Sequence, residues 1–256
     1  ALVVALPLLL PLYTVYAGLR DSQVDRAGVP EDAVDATLAA LPARAVVLAY
    51  APETVFRLRY AQRVEGERPD VTVVPVAFLP YPGMNNSLLA QDADLLPLVR
   101  AYLAHGAPRP DEVGALAMQR PVRIELDPQN VLPMVPFVVP RGMLAEVRGE
   151  PTTLASVRAA AAAHFAAMNA LQRAMAAEPG GARDDKSNEL VLWRSYNDAV
   201  FFAARGARPE ALASLRAALA RAPTEATLLG LRDALNAPGE GPVDVGAYVV
   251  AAHRPE

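Results

Sequence analysis

In the first third of the chain, helical patterns alternate with continuous apolar runs. Apolar residues recur at helical spacing at Val34, Leu38 and Leu41, and an apolar run then fills residues 45–50. The same succession repeats, with a second helical stripe followed by an apolar run over residues 70–79. Continuous apolar runs are typical of strands that are buried on both faces of a parallel sheet. The order helix, strand, helix, strand predicts a right-handed crossover unit in an α/β fold.

The middle of the chain has a less regular pattern. Residues 80–86 predict a turn at the carboxyl end of the second strand, the edge where open α/β sheets usually carry their sites. Residues 87–106 predict a helix that is interrupted at Pro97. Alternating apolar and polar residues over 120–127 predict a third, more exposed strand. The proline-rich residues 134–149 predict an edge strand and a hairpin.

From Thr152 onward the pattern is predominantly helical. A long alanine-rich helix starts with a threonine cap, and His164 within it is assigned a packing or surface role. The small residues between Asn197 and Pro223 resemble a tetratricopeptide-type helical hairpin, although an ordinary hairpin packed on the α/β layer explains them equally well. Residues 243–256 fit either a strand or a helix.

The first nineteen residues carry no charged side chain. As a helix they extend roughly 28 Å at ~1.5 Å per residue, close to the hydrocarbon thickness of a bilayer. Tyr13 and Tyr16, followed by Arg20 and Asp21, are typical of a membrane interface. A signal peptide would begin with Met and a basic region, and a buried helix rarely runs this long without a polar residue. We therefore predict the end of a transmembrane helix, in a chain that begins within a longer protein.

These patterns predict three parts. The end of a transmembrane helix occupies residues 1–20, an α/β domain follows over residues 21–150, and an α-helical domain covers residues 151–256. We expect the α/β domain to contain a small parallel or mixed sheet with flanking helices. The helical domain is expected to contain the tetratricopeptide-like hairpin.

Composition excludes several kinds of chemistry. The net charge is -4, which provides no basic footprint for nucleic acid. The chain has no cysteine, so disulfides, thiolate zinc sites and cysteine nucleophiles are absent. Its three histidines are too far apart in sequence for a recognised metal-binding spacing. No Ser-His-Asp spacing or phosphate-binding glycine loop is present. We predict neither a metal nor a cofactor.

The segment EGERPDV, residues 65–71, connects the second helix to the second strand. Gly66 can adopt the left-handed conformation that ends a helix, and Pro69 keeps Arg68 out of the right-handed helical region. Asp70 can accept hydrogen bonds from the backbone amides of the turn. A structural connector is one interpretation, and a substrate-binding role for Arg68 or Asp70 is the other.

The stretch YAQRVEGERPDVTVV, preceded by LPARAVVLAY, resembles the extracytoplasmic part of a family of polytopic membrane proteins. These proteins are related to the protein O-mannosyltransferase-like glycosyltransferases and commonly end in tetratricopeptide-like helices. The resemblance covers about residues 35–80. It implies a location at the cell inner membrane with the soluble part in the periplasm. It also implies a lipid-linked sugar or a protein acceptor as partner, besides contact with the membrane through residues 1–19.

The chain departs from the family pattern in one loop. Where the family carries an acidic Gly-Asp-Asn-Asp motif, this chain has residues 51–54, of which only Glu53 is acidic. A divalent cation requires several oxygen ligands, so Glu53 alone offers too few. The resemblance places the catalytic acid in an early membrane loop that these 256 residues do not contain.

Three hypotheses about function follow. The first is a non-catalytic soluble portion of a glycosyltransferase-like integral membrane protein, which positions an acceptor, a lipid-linked donor or partners. The second is a free-standing α/β enzyme with its site in the loops after the first two strands. The third is a helical-repeat interaction module. The candidate substrate-binding residues are Glu53, Tyr60, Arg68, Asp70, Asn85 and Asn86.

Overall fold

The computed structural model describes residues 35–127, 132–177, 185–239 and 241–251. Residues 1–20, predicted to be the end of a transmembrane helix, lie outside these ranges. Among the helices within them, none combines the length and the apolar character that crossing a bilayer requires.

The described residues form a mixed α/β structure around a five-stranded sheet. The strands are β1 (Val46–Ala49), β2 (Thr72–Pro75), β3 (Val122–Ile124), β4 (Val138–Arg141) and β5 (Leu144–Val147). Their order across the sheet is β2-β1-β3-β5-β4. β1 pairs in parallel with β2 and β3, whereas β5 pairs antiparallel with β3 and β4. The predicted α/β fold class is confirmed, and the sheet is mixed.

The apolar runs of the sequence form the parallel half of the sheet. Every residue of β1 and β2 is buried, as expected for strands covered on both faces. β3 differs from the expectation of a more exposed strand, because it lies between β1 and β5. Val122 and Ile124 are only 1% and 0% exposed, and Arg123 between them is partly buried.

Residues 134–149 contain the hairpin that the sequence predicts, formed by β4 and β5 with β4 at the edge of the sheet. Gly142 in its turn has a φ of 64°, which glycine adopts without steric cost. The two edge strands each contain a proline, Pro75 in β2 and Pro140 in β4.

Helices connect the parallel strands β1, β2 and β3 along the chain. A helical segment at residues 35–39 precedes β1. The others are α1 (Pro52–Arg63), α2 (Pro82–Gln91), α3 (Leu96–His105) and α4 (Pro110–Gln119). Each of these four has a proline in its first turn, where the missing N–H removes no helical hydrogen bond.

Two local predictions need correction in this region. Residues 80–86 do not form a turn alone, because Pro82 begins α2. The predicted helix interruption falls at Asp92 rather than at Pro97, and a short 3-10 helix (Ala93–Leu95) separates α2 from α3. Pro97 lies in the first turn of α3, a position that tolerates proline.

After Thr152 the described chain is helical, as predicted. Its helices are α5 (Leu154–Ala177), α6 (Asp185–Ala204), α7 (Arg208–Leu219), α8 (Ala226–Asn236) and α9 (Gly246–Ala251). Thr153 caps α5, because its hydroxyl accepts the N–H of Ser156 at 3.2 Å. For residues 243–256, the sequence left strand and helix open, and the described part contains a helix.

Two apolar clusters lie on the two faces of the sheet. The larger extends from Val46 and Ile124 in the sheet to Phe202 on α6 and Leu231 on α8. The smaller lies between the opposite face and α1, where Leu58 is 1% exposed. The helical half therefore shares a core with the sheet, and α5 and α6 supply side chains close to the ends of the strands.

Candidate functional site

The most promising location for a site is the carboxyl edge of β1 and β3. The chain leaves β1 through α1 towards β2, whereas β3 pairs with β1 on its other side. Such a change of direction opens a crevice between neighbouring strands, and open α/β sheets commonly bind ligands in it. The first turn of α1 and the residues after β3 border this crevice.

A carboxylate from the chain itself fills the crevice. Glu125 directly follows β3 and is 4% exposed. Its Oε2 accepts the backbone N–H groups of Tyr50 at 2.8 Å and Ala51 at 2.9 Å, and its Oε1 accepts the Thr54 hydroxyl at 2.9 Å. A helix N-terminus with free N–H groups is a preferred position for an anion. Glu125 therefore occupies the position at α1 that an anionic ligand would take.

Arg194 on α6 closes this arrangement from the helical side. Its guanidinium forms a short ion pair with Glu125. It also donates to the carbonyl of Met143 at 3.1 Å and to the Thr54 hydroxyl at 3.3 Å. The side chain of Arg194 is 11% exposed, so a buried charge from the helical half neutralises a buried charge at the sheet edge.

A second buried ion pair lies one helical turn further along α6. His164 Nε2 on α5 is 2.8 Å from Asp198 Oδ2, and the two side chains are 2% and 7% exposed. Burial opposes the charged ring, but the charge of Asp198 and its hydrogen bond outweigh burial and raise the pKa of His164. The packing role predicted for His164 is thus that of an ion-paired residue between α5 and α6.

Two buried polar atoms near this edge have no hydrogen-bond partner among the described residues: the Tyr50 hydroxyl and Asn85 Oδ1. Tyr50 is 6% exposed and Asn85 is 7% exposed. Burial, together with the charge of Asp127, raises the pKa of the Tyr50 phenol. A phenol held in its neutral form can donate a hydrogen bond but cannot act as a base near neutral pH.

The candidate residues from the sequence do not converge on one place. Asn85 and the exposed Asn86 lie on α2, after the carboxyl end of β2. Glu53 lies in the first turn of α1, and its side chain is outside the described part of the structure. Arg68 and Asp70 precede β2 and therefore lie at the opposite, amino edge of the sheet. A four-residue strand separates the two edges by about 13 Å.

Tyr60 lies on the outer surface of α1. Its ring is 48% exposed and is covered by the guanidinium of Arg57, whose carbon is 5.3 Å from the ring centroid. This is cation–π geometry, which contributes about 0.5–1 kcal/mol at an exposed position.

Arg68 and Asp70 form a structural connection at the amino edge. Arg68 Nε is 2.9 Å from Asp70 Oδ1, and the guanidinium also donates to the carbonyls of Leu38 at 2.8 Å and Leu41 at 2.7 Å. Asp70 accepts the N–H of Arg44 at 2.9 Å, and the bond from Arg68 is the main reason that the pKa of Asp70 is depressed. These contacts hold the turn before β2 against the segment before β1.

One group of carboxylates has the spacing of metal ligands, within 4.8 Å of one another: Asp35, Glu65 and Glu67. They lie at the surface, and Arg57 donates to Asp35 at 2.7 Å and to Glu65 at 3.3 Å. Arg57 supplies part of the counter-charge, and exposed acidic groups commonly cluster without an ion, so we infer no metal site from this group.

Glu125 and Arg194 are not among the residues that the sequence pattern indicates as candidates. The signal for Glu125 was weak, because the sequence pattern puts it inside the predicted strand over residues 120–127 and not directly after a buried strand. Arg194 had none, since 69 residues separate it from its partner and its neighbours on α6 form an ordinary helical pattern.

Comparisons with protein-family models, with curated proteins and with solved structures gave no match.

Proposed function

We propose that the described part of the chain is a non-catalytic soluble portion of a glycosyltransferase-like integral membrane protein. It positions an acceptor, a lipid-linked donor or a protein partner, and it lies on the periplasmic side of the inner membrane. The observation that carries the non-catalytic part of this proposal is the crevice between β1 and β3, which Glu125 and Arg194 fill.

The filled crevice argues against the free-standing enzyme. A catalytic site needs functional groups that can reach a substrate, and the N–H groups of Tyr50 and Ala51 are already bound by Glu125. The carboxylate of Glu125 is fully engaged by these amides, Thr54 and Arg194. Opening the crevice would leave two buried charges unpaired, which is energetically unfavourable.

The remaining support comes from the sequence. The residues that resemble the membrane-protein family, about 35–80, fold into a continuous β1–α1–β2 unit. Its Arg-Pro-Asp turn makes internal contacts, which fits a scaffold better than a substrate site. Two finer features of the fold belong to the same proposal: residues 1–20 as the end of a transmembrane helix, and α6 with α7 as a tetratricopeptide-like hairpin.

The absence of cysteine from the chain permits a direct test of membrane side. Asn86→Cys places a single thiol on the exposed surface of α2, and Ala203→Cys places one at a buried position as the matched control. A membrane-impermeant maleimide should label Asn86→Cys, but not Ala203→Cys, in cells with a permeabilised outer membrane. Labelling of Asn86→Cys only after complete lysis would overturn the proposed location.

A second experiment tests the absence of catalysis. The purified full chain is incubated with polyprenyl-phosphate sugars and with simple glycoside and ester substrates. We expect no turnover. Turnover that Glu125→Gln or Thr54→Val abolishes would instead establish an enzyme whose site lies at the carboxyl edge of β1 and β3.

A further inference from the structure

A cleft of about 550 Å³ lies beside the sheet, and Met143, whose carbonyl accepts from Arg194, is part of its lining. Its walls are the segment at residues 35–41 and one side of α5, and the β4–β5 hairpin borders it. A volume of this size is within the range of small-molecule sites, about 300–1,000 Å³.

Apart from Thr37 and the arginines at one end, the walls of the cleft consist of small or apolar side chains. Ala40 and Leu41 contribute from one side, and Ala167, Ala170 and Leu171 contribute from α5. Alanine side chains leave the space between the two walls open, and no aromatic ring lines it. Such walls suit a flexible aliphatic chain, which fills irregular apolar space without needing hydrogen-bond partners.

One end of the cleft is strongly basic. Arg123 and Arg141 line it, and both contact Glu146 Oε2, at 3.5 Å and 3.1 Å. Arg148 contacts the other oxygen of the same carboxylate at 2.8 Å. Three guanidinium groups thus share one carboxylate, which leaves a local excess of two positive charges among the described residues.

This excess is local, because the chain as a whole has a net charge of -4. Arg141 keeps 57% of its side chain exposed, so it can turn towards a ligand in the cleft, whereas Arg123 is only 13% exposed. Arg148 is 51% exposed and lines a neighbouring pocket together with Glu146. Burial lowers the pKa of Arg123, the charge of Glu146 opposes that effect, and the neighbouring Arg141 and Arg148 lower it further. A further anion at this position would relieve the repulsion between the guanidinium groups.

We propose that this cleft binds an amphiphile with one anionic headgroup, a phosphate or a carboxylate, and an aliphatic tail. The headgroup lies against Arg141 and Arg123, whose planar guanidinium groups match both kinds of anion. The tail extends between residues 35–41 and α5. The site stands on its own geometry, so it can be correct even if the proposed membrane-protein function is wrong.

The test is calorimetric titration of the full chain with dodecyl phosphate and with dodecanoate. Dodecanol, inorganic phosphate and dodecyltrimethylammonium are the comparison ligands, and they separate the contribution of the tail from that of the headgroup. We expect both anionic amphiphiles to bind at least about tenfold more tightly than dodecanol, since charge-assisted hydrogen bonds stabilise only the anions. Equal affinity for dodecanol, or no binding of either anion, overturns the proposal.

Variants test the two ends of the cleft separately. Arg141→Gln should weaken dodecyl phosphate binding about tenfold, whereas Glu146→Gln should strengthen it because the competing carboxylate charge is gone. Ala170→Phe, at an exposed position on α5, should block the tail and abolish binding. Arg158→Gln is the matched control, since Arg158 is an exposed arginine on α5 outside the cleft.

A loss of binding is meaningful only if the variant still folds. Each is compared with the unaltered chain by far-ultraviolet circular dichroism before titration. A Glu146→Gln variant that folds and binds more weakly than the unaltered chain contradicts the proposal, as does an Arg141→Gln variant with unchanged affinity.

Discussion

Arg194 and Asp198 lie one turn apart on α6, and each neutralises a buried charge from a different part of the chain. Arg194 pairs with Glu125 at the end of β3, and Asp198 pairs with His164 on α5. The four side chains alternate in sign when His164 is protonated, although the positive charge of Arg194 is close enough to oppose the protonation of His164. This alternation joins the helical half to the sheet through polar contacts as well as through the shared apolar core.

Removing Arg194 should strongly destabilise the fold. In Arg194→Met, the carboxylate of Glu125 stays buried without its counter-charge, so we expect the free energy of unfolding to fall by about 3–5 kcal/mol. Urea unfolding followed by circular dichroism measures this change. The exposed Arg216 on α7 gives the control Arg216→Met, whose effect should stay within about 0.5 kcal/mol.

The double variant Arg194→Met/Glu125→Gln separates charge from packing. Because it removes both charges, it should recover part of the stability lost in Arg194→Met. A double variant that is less stable than the sum of the two single effects predicts would show that the ion pair is not the cause.

His164 makes the stability of the protein depend on pH. Its pKa is raised in the folded state, so its pairing with Asp198 stabilises the fold fully below the unfolded pKa of about 6.5. This contribution is lost as the pH rises through the folded-state pKa. The stability difference between the unaltered chain and His164→Gln should therefore be larger at about pH 5.5 than at about pH 8.5, as urea unfolding at each pH would show.

A control variant removes a different histidine, so that it has the same number of histidines as His164→Gln. His105 is exposed at the end of α3, so His105→Gln removes a histidine without altering the pairing of Asp198. The assignment fails if the stability difference for His164→Gln grows as the pH rises.

The secondary structure was largely predictable where local pattern decides it. Residues that are close in sequence determine the apolar runs of β1 and β2, the β4–β5 hairpin and the helices after Thr152. The position of β3 between β1 and β5 was not, because strand order depends on pairing between distant segments. An alternating pattern shows that the two faces of a strand differ in polarity, but it does not show which strands pair with it on its two edges.

The sheet edge that contains the crevice was predictable, but the pairing of β1 with β3 and the side chains in the crevice were not. Polar residues after the first strand pointed to the carboxyl edge of the sheet, and that edge does contain the Glu125 contacts. The chain's own Arg194 fills the space, and its arrival from α6 depends on how the helical half packs. Nothing in the sequence around Arg194 distinguishes it from the other arginines of the chain.

Arg68 should contribute to stability rather than to ligand binding. Its guanidinium donates to the carbonyls of Leu38, Leu41 and Pro42. Arg68→Ala removes these bonds, and since the side chain remains about a quarter exposed, solvent replaces part of them. We expect the free energy of unfolding to fall by about 1–2 kcal/mol in urea titration, and Arg63→Ala on the exposed end of α1 should change it by less than about 0.5 kcal/mol.

Two glycines with the same backbone conformation should respond differently to substitution. Gly66 and Gly206 have φ values of 73° and 74°. A Cβ at Gly66 meets nothing within 4 Å, whereas a Cβ at Gly206 lies 3.0 Å from the backbone carbon of Gly241. Gly66→Ala should cost about 1 kcal/mol from the left-handed conformation alone.

Gly206→Ala should cost more than Gly66→Ala, because the backbone of Gly241 must move as well. Thermal and urea unfolding of the two variants measure the difference. Equal losses of stability in the two variants would show that the backbone around Gly241 moves at no energetic cost.

The prolines at the ends of the sheet limit how this protein can associate with itself. Pro75 and Pro140 lack the N–H group that an incoming strand would need, and they occupy the outermost strands on opposite sides. Strand-by-strand growth into fibrils is therefore discouraged at both margins. Concentrated solutions of the folded protein are expected to resist amyloid-type aggregation.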